Sequence, residues 1–110
     1  MKLPNGAQAT IEPRKVTDYC LNPEHDDGRH KAHLFQKILG MTLDDADTLL
    51  AALNHAAIHA EATLGKRDQY GQRYTIEFEF VGPAGTATIR SGWIIGTGDL
   101  VPRFVTCYIL

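Results

Sequence analysis

At 110 residues, with 44% hydrophobic and 22% charged side chains, the chain is expected to form a single domain over 1–110 that buries roughly 65% of its unfolded surface. That balance excludes a disordered tail, a collagen-like chain and a coiled coil. No apolar run reaches the ~20 residues of a membrane span, and two cysteines make neither a disulfide framework nor a zinc module. The net charge of −2 means that any polyanion site must be local.

In chain order, residues 3–11 read as a small hairpin or an extended arm around the Asn5-Gly6 turn signal. The N-terminus has no apolar stretch of the signal-peptide kind, so we expect a cytoplasmic protein with reduced thiols. Residues 13–20 suit a short helix opened by Pro13, and 21–28 a loop rich in breakers. A helix is predicted over 29–39, with Leu34, Phe35, Ile38 and Leu39 on its apolar face and Gly40 stopping it. The next helix starts at Thr42, an N-cap with Asp45 in the capping-box position, and runs to about residue 60. Its stripe is Ala46, Leu49, Leu50, Leu53, Ala57 and Ala60. The polar, glycine-interrupted stretch 61–72 reads as a loop.

The period then changes to two. Tyr74, Ile76, Phe78 and Phe80 alternate with Arg73, Thr75, Glu77 and Glu79, a half-buried strand. Gly82 to Gly85 turns the chain into a second strand over 86–95. A second turn at 96–99 leads to a third, more evenly apolar strand over 104–110. Helices first and strands afterwards predict an α+β fold, with N-terminal helices packed on a C-terminal antiparallel β-meander sheet.

Charge is unevenly placed. Between Arg29 and Asp44 there is no acid, while Arg29, His30, Lys31, His33 and Lys37 fall together. His30, His33 and Lys37 lie within ~60° of one another on a helical wheel. Arg and Lys hold phosphate, and a histidine moves protons near neutral pH. RNA is a substrate that needs no metal, because its own 2′-hydroxyl can attack. The plainer reading of the same run is a solvated helix face. On the strands, Arg90 shares a face with Thr86, Thr88 and Gly92, and pairing of the last two strands would bring Thr106 and Tyr108 beside it. That face suits a phosphate or a ribose; the plainer alternative is an ion pair with Glu77 or Glu79.

Other candidates carry less. His55 and His59 have the spacing of metal ligands on a helix but no third ligand, and they read as solvent-facing. Cys20 and Cys107 read as buried apolar thiols, and Trp93 and the strand aromatics as core. No metal and no cofactor is expected.

The segment Tyr19 to Ala32, followed by Phe35 and Leu39-Gly40, resembles an uncharacterised family of small bacterial domains. So do Tyr70-Gly71-Gln72-Arg73-Tyr74, Gly82-Pro83, Trp93-Ile94 and Pro102 to Tyr108. The family resembles toxin modules, and its element order is similar to the barnase, EndoU, colicin and RelE-like group of metal-independent RNases. The resemblance implies the toxin of a toxin–antitoxin pair, cutting RNA, tRNA included, with a small cognate antitoxin as partner. It implies a catalytic set of His30, Lys31, Arg90 and Thr106, with Arg29, His33, Lys37 and Tyr108 holding substrate. Asp26 and Asp27, after His25, argue against the loop itself contacting phosphate. The alternative is a non-catalytic interaction module whose basic helix and open sheet bind an acidic partner protein. A third reading, an immunity-like protein, draws on the negative net charge.

Overall fold

The computed structural model describes residues 1–110. A four-stranded antiparallel meander carries the architecture: β1 (Ala62–Asp68), β2 (Gly71–Gly82), β3 (Gly85–Gly96) and β4 (Arg103–Ile109), in spatial order β1-β2-β3-β4. The helical segments precede it and bury their apolar side chains against one sheet face. The predicted α+β arrangement is therefore the observed one. No helix is long and apolar enough to cross a membrane.

The helices are shorter and less regular than their patterns suggest. Val16–Cys20 is a single π-helical turn. The predicted 29–39 helix is α-helical only over α1 (Arg29–Leu34) and widens to a π-helical turn over Phe35–Leu39. That widening buries both Phe35 and Leu39, and Gly40 then ends the segment at φ 72°. Thr42 opens the next helix as expected. Its Oγ1 accepts the Asp44 N–H at 3.3 Å, and its own N–H donates to Asp45 Oδ2 at 2.8 Å. The first turn, Leu43–Asp45, is 3₁₀, and α2 (Ala46–His59) follows.

One expectation is corrected and one choice is decided. The stretch 61–72 is not a loop, because β1 lies inside it. β1 is an edge strand held by backbone pairing to β2 from Ala62↔Ile76 to Asp68↔Gly71, with an irregularity between Leu64 and Arg67. Only Ala62 of its side chains is buried, so no apolar alternation marks it, and Lys66 and Arg67 are the charges an edge strand tolerates. Of the two readings of the N-terminal segment, the arm is the one observed. Asn5 takes a left-handed conformation (φ 54°), but the chain continues into a 3₁₀ turn, Gly6–Gln8. The arm then bridges both sheet edges, at Lys2↔Glu61 and Thr10↔Arg103.

The core joins Phe35, Leu39, Leu49 and Leu53 to Ile76, Ile89, Trp93 and Phe104. Trp93 and Phe104 meet edge to face at 5.4 Å. The single buried polar side chain, Ser91, is satisfied on both sides: it accepts the Trp93 Nε1–H at 2.9 Å and donates to the Ile76 carbonyl at 3.0 Å.

Thr42→Ala is expected to cost about 1 kcal/mol and to lower the melting temperature by roughly 4–8 °C. A calorimetric scan checks this; an unchanged melting point would mean that the cap does not anchor α2.

Candidate functional site

Lys31 is the centre of the site. It projects from α1 towards the sheet edge, where its Nζ donates to Thr106 Oγ1 at 3.2 Å and to Tyr19 Oη at 3.4 Å. The same ammonium lies 4.7 Å from the ring centre of Tyr19 and 5.4 Å from that of Tyr108. Two aromatic faces and a hydroxyl thus pin a cation that the helical wheel alone places oddly close to the apolar face.

Each wall has a local cause. On the sheet side, β3 and β4 pair Arg90↔Tyr108, Ser91↔Cys107 and Gly92↔Thr106, but then Trp93↔Phe104. Val105 is therefore an extra residue in β4, a β-bulge. On the helical side, α1 begins tight against the π-helical turn. A Cβ at Gly28 would lie 2.4 Å from the Tyr19 carbonyl oxygen, so only glycine lets Lys31 stand beside Tyr19. His25 closes the loop between them. Its Nδ1 accepts the N–H groups of Asp27 and Gly28, both at 3.0 Å, and its ring meets Tyr19 edge-on at 4.8 Å. With Nδ1 used as acceptor, the ring proton sits on Nε2.

Together these groups border an open cleft of about 610 Å³, lined by Lys15, Tyr19, His25, Lys31 and Thr106 among others. Lys15 donates to the Phe104 carbonyl at 2.9 Å, fastening the π-helical turn to β4. The acids Glu12 and Asp18 also line it, and Asp18 pairs with Arg14 at 3.3 Å.

Arg90 reaches the site through Tyr108, whose hydroxyl accepts from its Nη1 at 3.5 Å, while Nη2 donates to Glu77 at 2.9 Å. The hydrogen bond to Tyr108, then that to Glu77, hold the guanidinium proton more firmly than usual. The plain ion pair and the open-face placement are thus both present.

Beneath Thr106 lies a buried thiol pair. Cys20 Sγ is 3.8 Å from Thr106 Oγ1, and both Cys20 and Cys107 are fully buried. A hydrogen bond from the Cys107 thiol, assisted by Thr106 and by the Lys31 charge, pulls Cys20 down to about 6 against its burial. Its hydrogen bond to Cys20, together with burial, pushes Cys107 well up. Of the two thiols, Cys20 is thus the one that gives up its proton first, with Cys107 as its donor and the Lys31 charge nearby, a partnership the sequence does not reveal for two cysteines so far apart.

Of the sequence-predicted residues, Lys31 and Thr106 line this cleft, while Arg90 and Tyr108 border an adjoining hollow on the sheet face that shares Thr106 with it. Arg29, His30, His33 and Lys37 are exposed along α1 and its continuation, and none lines the cleft. The histidine at the cleft is His25. His55 and His59 lie exposed, with their ring centres 4.5 Å apart. No three His, Cys, Asp or Glu side chains converge as metal ligands do.

The family described as "Domain of unknown function (DUF6883)" matches residues 2–110. No curated protein sequence matches the chain. Among solved structures, it is similar to a chain of a contact-dependent growth inhibition toxin–immunity protein complex from Klebsiella pneumoniae 342. The TM-score is 0.67 at 24% identity, over 91% of this chain and 98% of that one. The two share a fold.

Two outcomes follow from this geometry. Gly28→Ala is expected to push the π-helical turn away from α1 at a cost of ~1–3 kcal/mol, read as a lower melting temperature. An unchanged melting point would show that the close approach is not required. Because Cys20 ionises near 6, below the ordinary thiol range, its contribution to stability is complete above that range and lost as pH falls through about 6. Thiolate ultraviolet absorbance is expected to appear at that pH, and to move upward in Cys107→Ala, which removes the donor.

Proposed function

The chain belongs to the DUF6883 family, and we propose that it is a toxin-type endoribonuclease whose cleft at the β4 edge binds and cuts RNA. The observation that carries this is the pinned ammonium of Lys31, with Thr106 between it and the Arg90 side of the sheet and a histidine Nε2–H on the opposite wall. Such a set suits a phosphodiester in which negative charge grows on the phosphoryl oxygens as the 2′-hydroxyl attacks. Lys31 and Arg90 stabilise that charge, Thr106 orients the phosphate, and the neutral His25 ring donates its Nε2–H as a hydrogen bond to a phosphoryl oxygen, while water takes the 2′-hydroxyl proton and supplies one to the leaving 5′-oxygen. In this reading His30, exposed on α1, is not needed for the reaction, and His25 serves as a neutral hydrogen-bond donor. The basic face formed by Arg29, His33 and Lys37 supplies long-range attraction for substrate.

The fold shared with a chain of a toxin–immunity complex supports a second element, a cognate inhibitor protein. An acidic surface fits such a partner, because carboxylates set against Lys31 and Arg90 would occupy the places of phosphates. If the protein binds that partner and cuts nothing, it is the interaction module instead.

The test is incubation of the purified protein with total cellular RNA and with tRNA in EDTA. Cleavage is expected. Lys31→Ala, Arg90→Ala and His25→Ala are each expected to slow it at least ~100-fold, and His30→Ala to change it by no more than a few-fold. Loss of activity in His30→Ala with His25→Ala fully active would place the reacting histidine on α1 instead. No cleavage of either RNA, together with normal growth of bacteria expressing the chain, would overturn the nuclease reading.

A further inference from the structure

Beside the Lys31 cleft, and continuous with it through Val105 and Thr106, the open sheet face holds a second hollow of about 200 Å³. Two guanidiniums border it, Arg73 and Arg90, with the hydroxyl side chains Thr75, Thr106 and Tyr108, and no carboxylate is among its lining residues. The first cleft, by contrast, includes Glu12 and Asp18. Arg73 is only loosely engaged: its Nε lies 3.7 Å from Asp68, which Lys66 also approaches at 3.6 Å.

The floor of this hollow is Gly92, in the middle of β3 and opposite Thr75 and Thr106. Nothing in the fold demands glycine there. Its φ is not positive, and a Cβ would meet only the Thr106 carbonyl oxygen at 3.8 Å and Val105 Cβ at 3.9 Å, ordinary contacts. A strand interior ordinarily favours a β-branched residue, and a glycine in such a place leaves room for another group to come close to the backbone. Two arginines over a bare floor, with hydroxyls between them, match the size, charge and hydrogen-bonding needs of a phosphate.

We propose that this hollow is a second phosphate subsite, which takes the backbone phosphate next to the one held at Thr106. The substrate is then a single RNA strand laid across β3 and β4 and spanning at least two successive phosphates. A mononucleotide or an isolated dinucleotide is too short to fill both places. The proposal rests on the nuclease reading for the identity of the first subsite, but binding alone tests it.

The probes are a 2′-O-methyl octauridylate and the corresponding dinucleotide, neither of which can be cut through a 2′-hydroxyl. The wild-type protein is expected to hold the octanucleotide much more tightly. In Arg73→Ala, octanucleotide binding weakens roughly tenfold, the loss of about one charge-assisted contact, and the slope of log K against log salt falls by about 0.7. Gly92→Val fills the floor and weakens the octanucleotide at least as much, while the melting temperature holds or rises. Gly92→Ala, which adds only the Cβ, shows a smaller loss in the same direction and carries the test if the valine variant folds poorly. Dinucleotide binding changes little in all three. Octanucleotide affinity and salt slope equal to wild type in Arg73→Ala and in the folded glycine variants overturn the subsite, even if RNA is cut. Binding with these losses but no cleavage of natural RNA keeps the subsite and overturns the nuclease reading. No binding of the octanucleotide by the wild-type protein overturns both.

Discussion

One extra residue in β4 decides which side chains the site can use. In a regular strand, Phe104, Thr106 and Tyr108 would share a face. With Phe104 packed on Trp93 in the core, Thr106 and Tyr108 would be buried beneath the helices. The insertion of Val105 opposite the Gly92–Trp93 step breaks that parity. Phe104, Cys107 and Ile109 then all enter the core, and Thr106 and Tyr108 emerge on the other face beside Arg90. The same irregularity sets Val105 next to Thr106, so both hollows share a wall. A strand that looked evenly apolar was thus two half-strands of opposite phase.

The sheet was legible wherever one of its faces is dry. Tyr74, Ile76 and Phe78 on β2 alternate because the helices cover one side and water the other. Thr42 and Asp45 were legible because a helix start has only a few chemical solutions. The grouping of Arg90 with Thr106 and Tyr108 followed from antiparallel pairing. β1 was hidden because an edge strand with both faces largely in water needs no pattern, only backbone partners. In the site, Lys31 stood out as a lysine too near an apolar stripe. His30 looked equally placed, since a helical wheel reports angle and not what lies across from each angle. Asp26 and Asp27 argue against the His25 loop on charge, yet what matters there is backbone: the N–H groups of Asp27 and Gly28 hold the ring, and both aspartates are exposed. Tyr19 and the thiol pair depend on contacts between segments far apart in the chain, which no local period encodes.

The electrostatics reconcile an acidic protein with a cationic cleft. Acids gather at the start of α2, where Asp44, Asp45 and Asp47 suit the positive end of the helix. The cations converge at the β4 edge. There Lys31 donates to Thr106 and Tyr19 and lies against two tyrosine faces, and no carboxylate is among its hydrogen-bond partners. Arg90 is tethered differently, sharing its two ends between Glu77 and Tyr108. One cation is thus held by neutral hydroxyls and aromatic faces, the other by a carboxylate and a phenol.

The order in which these pieces leave the ribosome has a consequence. Tyr19, His25 and Lys31 are made early, but their counterparts Thr106 and Tyr108 belong to β4, which follows every other element of this fold in the chain. Until β4 docks, the Phe104 place against Trp93 is empty, Cys20 has no Cys107, and the lysine has no wall to lean on. Closure of the core and completion of the cleft are therefore one kinetic event, dominated by contacts of long sequence separation. Docking of that single edge strand therefore sets when the cleft first exists, and anything that delays it leaves Lys31 without its Thr106 and Tyr108 partners.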